Sequence, residues 1–356
     1  MSSSFGKKVT ITLFGQSHSQ GIGAVIDGLP AGEAIDMARV GAFMARRAPG
    51  GALATKRREA DRVKILSGLV DDVTCGAPLC GVIENTDVRS GDYEELARKP
   101  RPGHADYTAH VRYGGFNDVR GGGHFSARLT APLCFAGAVA LQLLERRGIM
   151  VGAHLKSVYN ISDIPFDPAS ITGAQLSEIA AREIPVINAE AGAAMKEAIE
   201  TARASQDSVG GVVECAAVGL PAGLGDPIFD GLENRLAAML FGIPAVKGVE
   251  FGAGFEAAQM LGSEHNDAFY YDGEQVKTRT NRHGGILGGI SSGMPVILRA
   301  AFKPTPSIGR EQQTVNFETH ADDLLAIHGR HDPCVALRAV PCVEAAVALV
   351  LLDFAV

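Results

Sequence analysis

Four short stretches hold most of the side chains able to do chemistry. Residues 14–23, FGQSHSQGIG, put Ser17 and His18 in a glycine-flanked loop straight after an alternating apolar run. Residues 101–107, RPGHADY, put His104 behind a rigid Pro-Gly turn beside Arg101. Residues 329–334, GRHDPC, pack Arg330, His331 and Asp332 ahead of Pro333. Residues 119–132, VRGGGHFSARLTAP, place three consecutive glycines next to His124, Phe125, Ser126 and two arginines, Arg120 and Arg128. Taken singly, a loop histidine is ordinarily a surface or satisfied structural residue. Taken together, these loops combine general acid–base groups with arginines whose planar forks suit carboxylate and phosphate. Bare glycine backbone adds main-chain N–H groups that a large anion can approach closely.

The common ligand motifs are missing. There is no G-x-x-x-x-G-K-[ST], no G-x-G-x-x-G opening a helix after a strand, and no H-E-x-x-H; GGILGG at 284–289 has the wrong spacing for a dinucleotide fingerprint. No metal site is expected. Residues 289–293, GISSG, do match G-x-S-x-G, with Asp332 and histidines downstream as partners for Ser291. A nucleophile elbow needs a helix after its serine. MPVILRAAF follows instead and reads as a strand, which leaves a serine hydrolase as the weaker alternative.

The elements that must hold these loops can be read from period and punctuation. Residues 8–14 (KVTITLF) alternate and are β-branched, so they predict a strand, as do the segment ending in AVIDG, VKILSGLV, LCGVIEN and GVVECAAVGL. IDMARVGAFMARR has helical spacing up to Pro49. Residues 130–147 predict a helix with Thr130 as N-cap and Gly148 as its stop, fed by the GGGHFSAR loop; 171–183 and 189–204 predict two more. GLPAG occurs twice, at 28–32 and at 219–223, each time after a strand and ahead of a helical stretch. The echo implies two related halves, and with no linker-like run between them the chain reads as one domain over 1–356. The mixed order of elements favours α+β layers over a doubly wound sheet.

Composition narrows the partners. Net charge is −7, which disfavours nucleic acid as the main partner. Residues 39–64 nevertheless carry a net +6, leaving −13 for the rest. A basic island on an acidic chain suits a small anionic ligand, although a solvated helix face explains a charge run alone. Six dispersed cysteines without C-x-x-C spacing read as reduced buried thiols. No secretory signal or membrane span is apparent, so the expected setting is the cytoplasm.

In their order along the chain, FGQSHSQGIG, RRAPGG, KRREADRVKILSG, RPGHADYT, RGGGHFSAR, GLPAGLGDPIFD, GGILGGISSGMPV, KPTPSI and GRHDPCVALRAVPCVEA resemble the chorismate synthases, and the resemblance spans essentially the whole chain. It implies an α+β fold of the β-α-β sandwich type with internal pseudo-twofold symmetry, assembled as a homotetramer. It also implies a shikimate-pathway lyase that eliminates phosphate from 5-enolpyruvylshikimate 3-phosphate, dependent on reduced FMN without net redox change. Such a substrate carries two carboxylates and a phosphate, which fits several arginines and no nucleophile. By the resemblance, His18 protonates the flavin with Ser17 beside it, and His104 sits near the leaving phosphate. Asp332 acts through the flavin in removing the ring proton. Arg46, Arg47, Arg101, Arg128 and Arg330 bind substrate. His124, Phe125, Ser126, Pro244, Ala245, Gly288, Lys303, Pro304, Thr305, Pro306, Ser307 and Arg330 fall on flavin-contacting positions.

The chain departs from the family pattern at Gln16 and Ser19, where G-E-S-H-G is usual, at His124 and Phe125, at Leu53 and at Pro244. These changes bear on flavin or reductant binding and leave both histidines and the aspartate in place. A non-catalytic flavin-binding relative is the third reading, disfavoured by the joint presence of His18, His104 and Asp332. NADPH is a possible reductant. With no separate nicotinamide motif, an external flavin reductase is the expected source of reduced cofactor.

Overall fold

The computed structural model describes residues 3–48, 61–85, 94–327 and 332–356. β1 (Thr10–Gly15) and β2 (Gly21–Asp27) form an antiparallel pair, and β2 turns Ile22, Ala24 and Ile26 into the core. α1 (Met37–Arg47) follows, its first turn capped by the Asp36 carboxylate, which accepts from the N–H groups of Ala38 and Arg39. β3 (Val63–Ser67) and β4 (Leu79–Glu84) complete the first sheet, in the order Ser4–Phe5, β1, β2, β4, β3. The single strand predicted over 63–70 breaks at Gly68, which has φ +91°, and a Cβ there would lie 2.3 Å from Leu79 Cα. α2 (Asp106–Tyr113) and α3 (Thr130–Glu145) close this half.

The second half repeats the plan. β5 (Met150–Val158) and two covering helices, α4 (Gly173–Ala180) and α5 (Ala189–Ala204), precede β6 (Gly211–Val218). Then come α6 (Leu232–Phe241), β7 (Val246–Phe251), β8 (Val296–Phe302) and α7 (Ala336–Ala355). The second sheet runs Ile161–Ser162, β5, β6, β8, β7, the same first-second-fourth-third order as the other. β6 is buried continuously from Val213 to Ala217, Glu214 included, whereas β2 ends exposed at Asp27.

The GLPAG echo is therefore structural. Gly28 and Gly219 both adopt φ +82°, and a Cβ on either would meet a carbonyl oxygen, Lys8 O at 1.9 Å or Gly148 O at 2.0 Å. A second repeat lies in the core helices. Shifted by 208 residues, α3 and α7 coincide at Ala131/Ala339, Cys134/Cys342, Ala138/Ala346, Val139/Val347, Ala140/Ala348, Leu141/Leu349, Leu143/Leu351 and Leu144/Leu352. The two helices pack on each other between the sheets. Equivalent residues meet there: Cys134 and Cys342 are 3.8 Å apart at sulfur, and a Cβ on Gly137 would sit 2.2 Å from that of Ala345. A contact between equivalent positions marks the twofold axis.

One expectation needs correction. Thr130 does not cap α3; Leu129 does, and the Thr130 hydroxyl donates back to Ala127 O at 2.6 Å. The cause is a 3-10 turn, Ala127–Leu129, abutting the helix and capped by Ser126. α4 is also shorter than its predicted span, starting at a Thr172–Gln175 capping box. The run from Arg120 to Glu145 is long and apolar enough to cross a membrane, but 89% of its apolar window is buried inside the fold, as befits a core helix.

Candidate active site

The triple glycine organises the site. Gly121, Gly122 and Gly123 have φ of +59°, +83° and +53°, a path side chains rarely follow. Space forbids side chains as well. A Cβ on Gly121 would lie 2.5 Å from both His18 Cε1 and Ser17 Oγ, and one on Gly122 would lie 3.1 Å from His104 Cε1 and Nε2. Only a bare backbone can pass between the two histidines, which sit on loops far apart in sequence. Ser17 N–H donates to Gly123 O (3.1 Å), and the Ser17 hydroxyl lies 3.2 Å from His18 Nδ1.

From this junction a circuit of contacts closes on itself. His104 Nδ1 lies 2.6 Å from Asp106 Oδ1. Arg101 holds the same carboxylate through Nε (2.7 Å) and a terminal nitrogen (2.8 Å), and donates to Ser307 Oγ at 3.1 Å. The 303–307 loop then spans three neighbours. Lys303 N–H donates to Ala245 O (3.0 Å), its ammonium to Gly103 O (2.8 Å), and the Thr305 hydroxyl to Asp332 O (2.8 Å). The Asp332 carboxylate is paired with Arg338, whose Nε donates to Arg47 O at 2.9 Å. Arg47 donates to Asp61 (2.8 Å), Thr130 Oγ1 (3.0 Å) and Ala127 O (3.1 Å). The other Asp61 oxygen accepts from Arg128, and Arg128 Nε donates to Asn85 at 3.2 Å. Asn85 returns to the start, donating to Gln16 O (3.0 Å) and Ser19 O (2.9 Å) around Ser17 and His18.

Electrostatics follow from this layout. Burial alone would raise the Asp106 carboxyl, but hydrogen bonds from Arg101 and His104 outweigh it and hold the group well below the usual carboxylate range. Burial would likewise lower Arg47, yet the Asp61 carboxylate beside it outweighs that and raises it. Burial and then Arg47 lower Arg338, leaving Asp332 as the countercharge that holds it. Burial and neighbouring Lys247 lower Lys303. Among the described residues that ammonium meets no carboxylate, so it has a standing demand for an anion. Arg47, Arg101, Arg128, Arg338 and Lys303 face Asp61, Asp106 and Asp332, an excess of cations at the circuit. The donor set and the bare glycine backbone fit a large anion bearing a phosphate, such as a flavin mononucleotide.

Not every predicted residue joins. Arg46 grips Glu344 through two hydrogen bonds (2.6 and 2.8 Å) and, with Arg182, Pro341 and the circuit's own Arg338, lines a cavity of about 400 Å³. His124 turns away to Gly15 O (3.1 Å) and Ser3 Oγ (3.2 Å), and Phe125 is half exposed near Tyr113. Ser126 caps its 3-10 turn. Pro244 precedes Ala245, which takes φ +76°, a strained value for a residue with a Cβ. Pro304 and Pro306 stiffen the loop that reaches Asp332. Gly288 occupies the tip of a hairpin, Ile286–Leu287 against Ile290–Ser291, which no described contact joins to the circuit. Arg330 and Leu53 lie outside the described residues. Ser291 is buried, donates to Pro221 O (2.6 Å) and accepts from Leu224 N (2.9 Å). It braces the second GLPAG turn and precedes no helix, against the nucleophile reading.

Asp61, Asn85, Asp106 and Arg338 were missed in the sequence. Asp106 had a signal, lying two residues after His104 behind a rigid turn. Arg338 had a weaker one, six residues after Asp332 in the first turn of a helix.

Comparison with known proteins agrees across the chain. The family model described as chorismate synthase matches residues 9–356. The chorismate synthase of Methanocella arvoryzae is 48% identical over 354 residues, covering 98% of this chain and 93% of that protein. That of Dehalococcoides mccartyi is 47% identical over 356 residues, with 100% and 97% covered. A solved structure titled Crystal Structure of Chorismate Synthase superposes with a TM-score of 0.77 at 25% identity, over 98% of this chain and 92% of the other. With the layered fold, its repeated halves and this circuit of loops, the chain belongs to the chorismate synthase family.

Proposed function

We propose that this lyase eliminates phosphate from 5-enolpyruvylshikimate 3-phosphate to give chorismate, with reduced FMN bound beside the glycine loop. The observation that supports this most is the single closed circuit joining His18, His104 and Asp332 to Arg47, Arg101 and Arg128 across a side-chain-free backbone. Reduced FMN, when bound, supplies electron density to the ring that loses phosphate and recovers it as the proton leaves. The chain's own groups do the rest. Arg101 and Arg128, already aligned by buried carboxylates, present fixed positive charge where the phosphate gains negative charge, which favours the transition state over the bound substrate. Arg47 is turned inward and aligns Arg128 through their shared Asp61. His104 holds a proton at the leaving phosphate oxygen, and His18 does so on the cofactor side. Asp332, held in place by Arg338, accepts the proton lost from carbon. Lys303 and the neighbouring 304–307 backbone would hold the cofactor.

The test is an anaerobic assay with 5-enolpyruvylshikimate 3-phosphate and chemically reduced FMN, following phosphate and chorismate together. Equal amounts of both, formed only with reduced flavin, are expected. Turnover without flavin, or none from folded protein, would overturn the reading.

The chain also fits a homotetramer fed by an external flavin reductase. Exposed Phe229, Phe255, Leu261, Phe269 and Tyr271 support association. Light scattering on a size-exclusion column checks the first. NADPH oxidation by the purified protein with FMN, if seen, would replace the external reductase with a built-in one.

A further inference from the structure

We propose that Asp106 is a positioning residue that fixes the tautomer and aim of His104. The inference rests on the role given to His104 above. Two groups address His104 Nδ1: Asp106 Oδ1 at 2.6 Å and a terminal nitrogen of Arg101 at 3.1 Å. A guanidinium can only donate, so the two contacts need opposite states of Nδ1. The shorter one decides, since an oxygen 2.6 Å from an unprotonated nitrogen would set lone pair against lone pair. Nδ1 therefore carries a proton donated to Asp106. Nε2 is left on the far side of the ring, facing the glycine loop where Gly122 leaves room.

The carboxylate is itself locked. Oδ2 accepts from Arg101 N (3.1 Å) and Nε (2.7 Å), and Oδ1 accepts from the Arg101 terminal nitrogen (2.8 Å) and from His104. This arrangement predicts what an amide must do in its place. In Asp106→Asn the oxygen stays where two Arg101 donors converge, so the NH₂ takes the position facing His104. It then donates to Nδ1 and forces the ring proton onto Nε2. The ring can then still donate from Nε2, but with an amide N–H aimed at Nδ1 it cannot carry a proton on both nitrogens, so it meets the leaving phosphate without the positive charge that a carboxylate at Nδ1 allows.

The experiment compares His104→Ala, Asp106→Asn, Asp106→Glu and the double variant His104→Ala/Asp106→Asn in the anaerobic assay. Imidazole nitrogens of the wild type and of Asp106→Asn are also followed by ¹⁵N NMR. Asp106→Asn is expected to lower kcat by on the order of 10²–10⁴-fold with KM little changed. Its His104 proton should move from Nδ1 to Nε2. Asp106→Glu should recover part of kcat, and the double variant should be no slower than His104→Ala. An active His104→Ala would sink the role of His104 and the inference with it. An inactive His104→Ala beside Asp106→Asn with full kcat or an unmoved tautomer would sink the inference alone, leaving Asp106 as a strut for Arg101.

Discussion

Each half of the molecule holds a histidine–carboxylate cluster, His104 with Asp106 in the first and His154 with Asp163 and Glu214 in the second. In the second half, His154 is fully buried on β5. Its Nδ1 faces Asp163 at 3.1 Å and its Nε2 faces Glu214 at 3.0 Å. Both acids are also held by main chain: Ile187 N and Asn188 N donate to Asp163, and Phe166 N to Glu214. Burial would lower this imidazole, but its two carboxylates outweigh that and raise it. His104 has one carboxylate, and its other nitrogen faces a gap made by glycine. Chemical type is the same in the two places. The number of satisfied ring nitrogens separates a rivet from a tool: an imidazole with two partners has nothing left to offer a ligand.

Filling the gap beside His104 should lower turnover sharply. Gly122→Ala places a methyl 3.1 Å from the ring at φ +83°. It is expected to reduce kcat by on the order of 10²-fold through misplacement of a reacting group. The fold should lose only about 1–2 kcal/mol, and steady-state kinetics beside a melting curve would separate the two. Wild-type kcat in that variant would break the contrast. The second half should answer the opposite way. His154→Ala removes the imidazole between two buried carboxylates and should cost about 3–5 kcal/mol of stability, seen in urea denaturation, while residual folded protein keeps its kcat.

A smaller effect is the pH dependence of that cluster. The folded value of His154 lies above its ordinary one near 6.5. Its contribution is therefore complete below about pH 6.5 and fades as pH rises through the folded value. Lys156, which donates to Asp163 O, and Arg299, 3.6 Å from Glu214, also face the cluster. Between pH 6 and 9 the wild-type Tm should fall more than that of His154→Gln; parallel curves would remove the charge from this account. The smallest change expected is Ser291→Ala. It gives up two hydrogen bonds and about 1–2 kcal/mol of stability with lyase activity unchanged, and lost activity would reopen the question of what GISSG does.

The sequence was most legible where one residue type admits one conformation. Three glycines in a row among histidines and arginines announced a backbone that something must approach, and GLPAG announced repeated halves. It was least legible where meaning depends on partners far along the chain. Asp61 lies inside the basic stretch 39–64, with nothing nearby in the sequence to mark it, yet it fixes Arg47 from 14 residues away and Arg128 from 67. Arg46 and Arg47 are neighbours of one type, and only their places on α1 send one to Glu344 and the other to Asp61. The α3/α7 repeat escaped notice because alanine, valine and leucine in a core helix look alike whether copied or not. Thr130 was misjudged because a cap signal does not say which of two abutting helices it serves.

The touching Cys134 and Cys342 have a consequence for how the chain comes together. α3 ends the first copy of the plan and α7 ends the second, and each is buried nearly all round, the other being its most extensive single neighbour. Neither copy can shield its closing helix alone. The two behave as the subunits of a dimer that happen to share one chain. A backbone cut in the turn after Arg147 would leave fragments that fold only on meeting, with the pair of thiols at the centre of the seam they must rebuild.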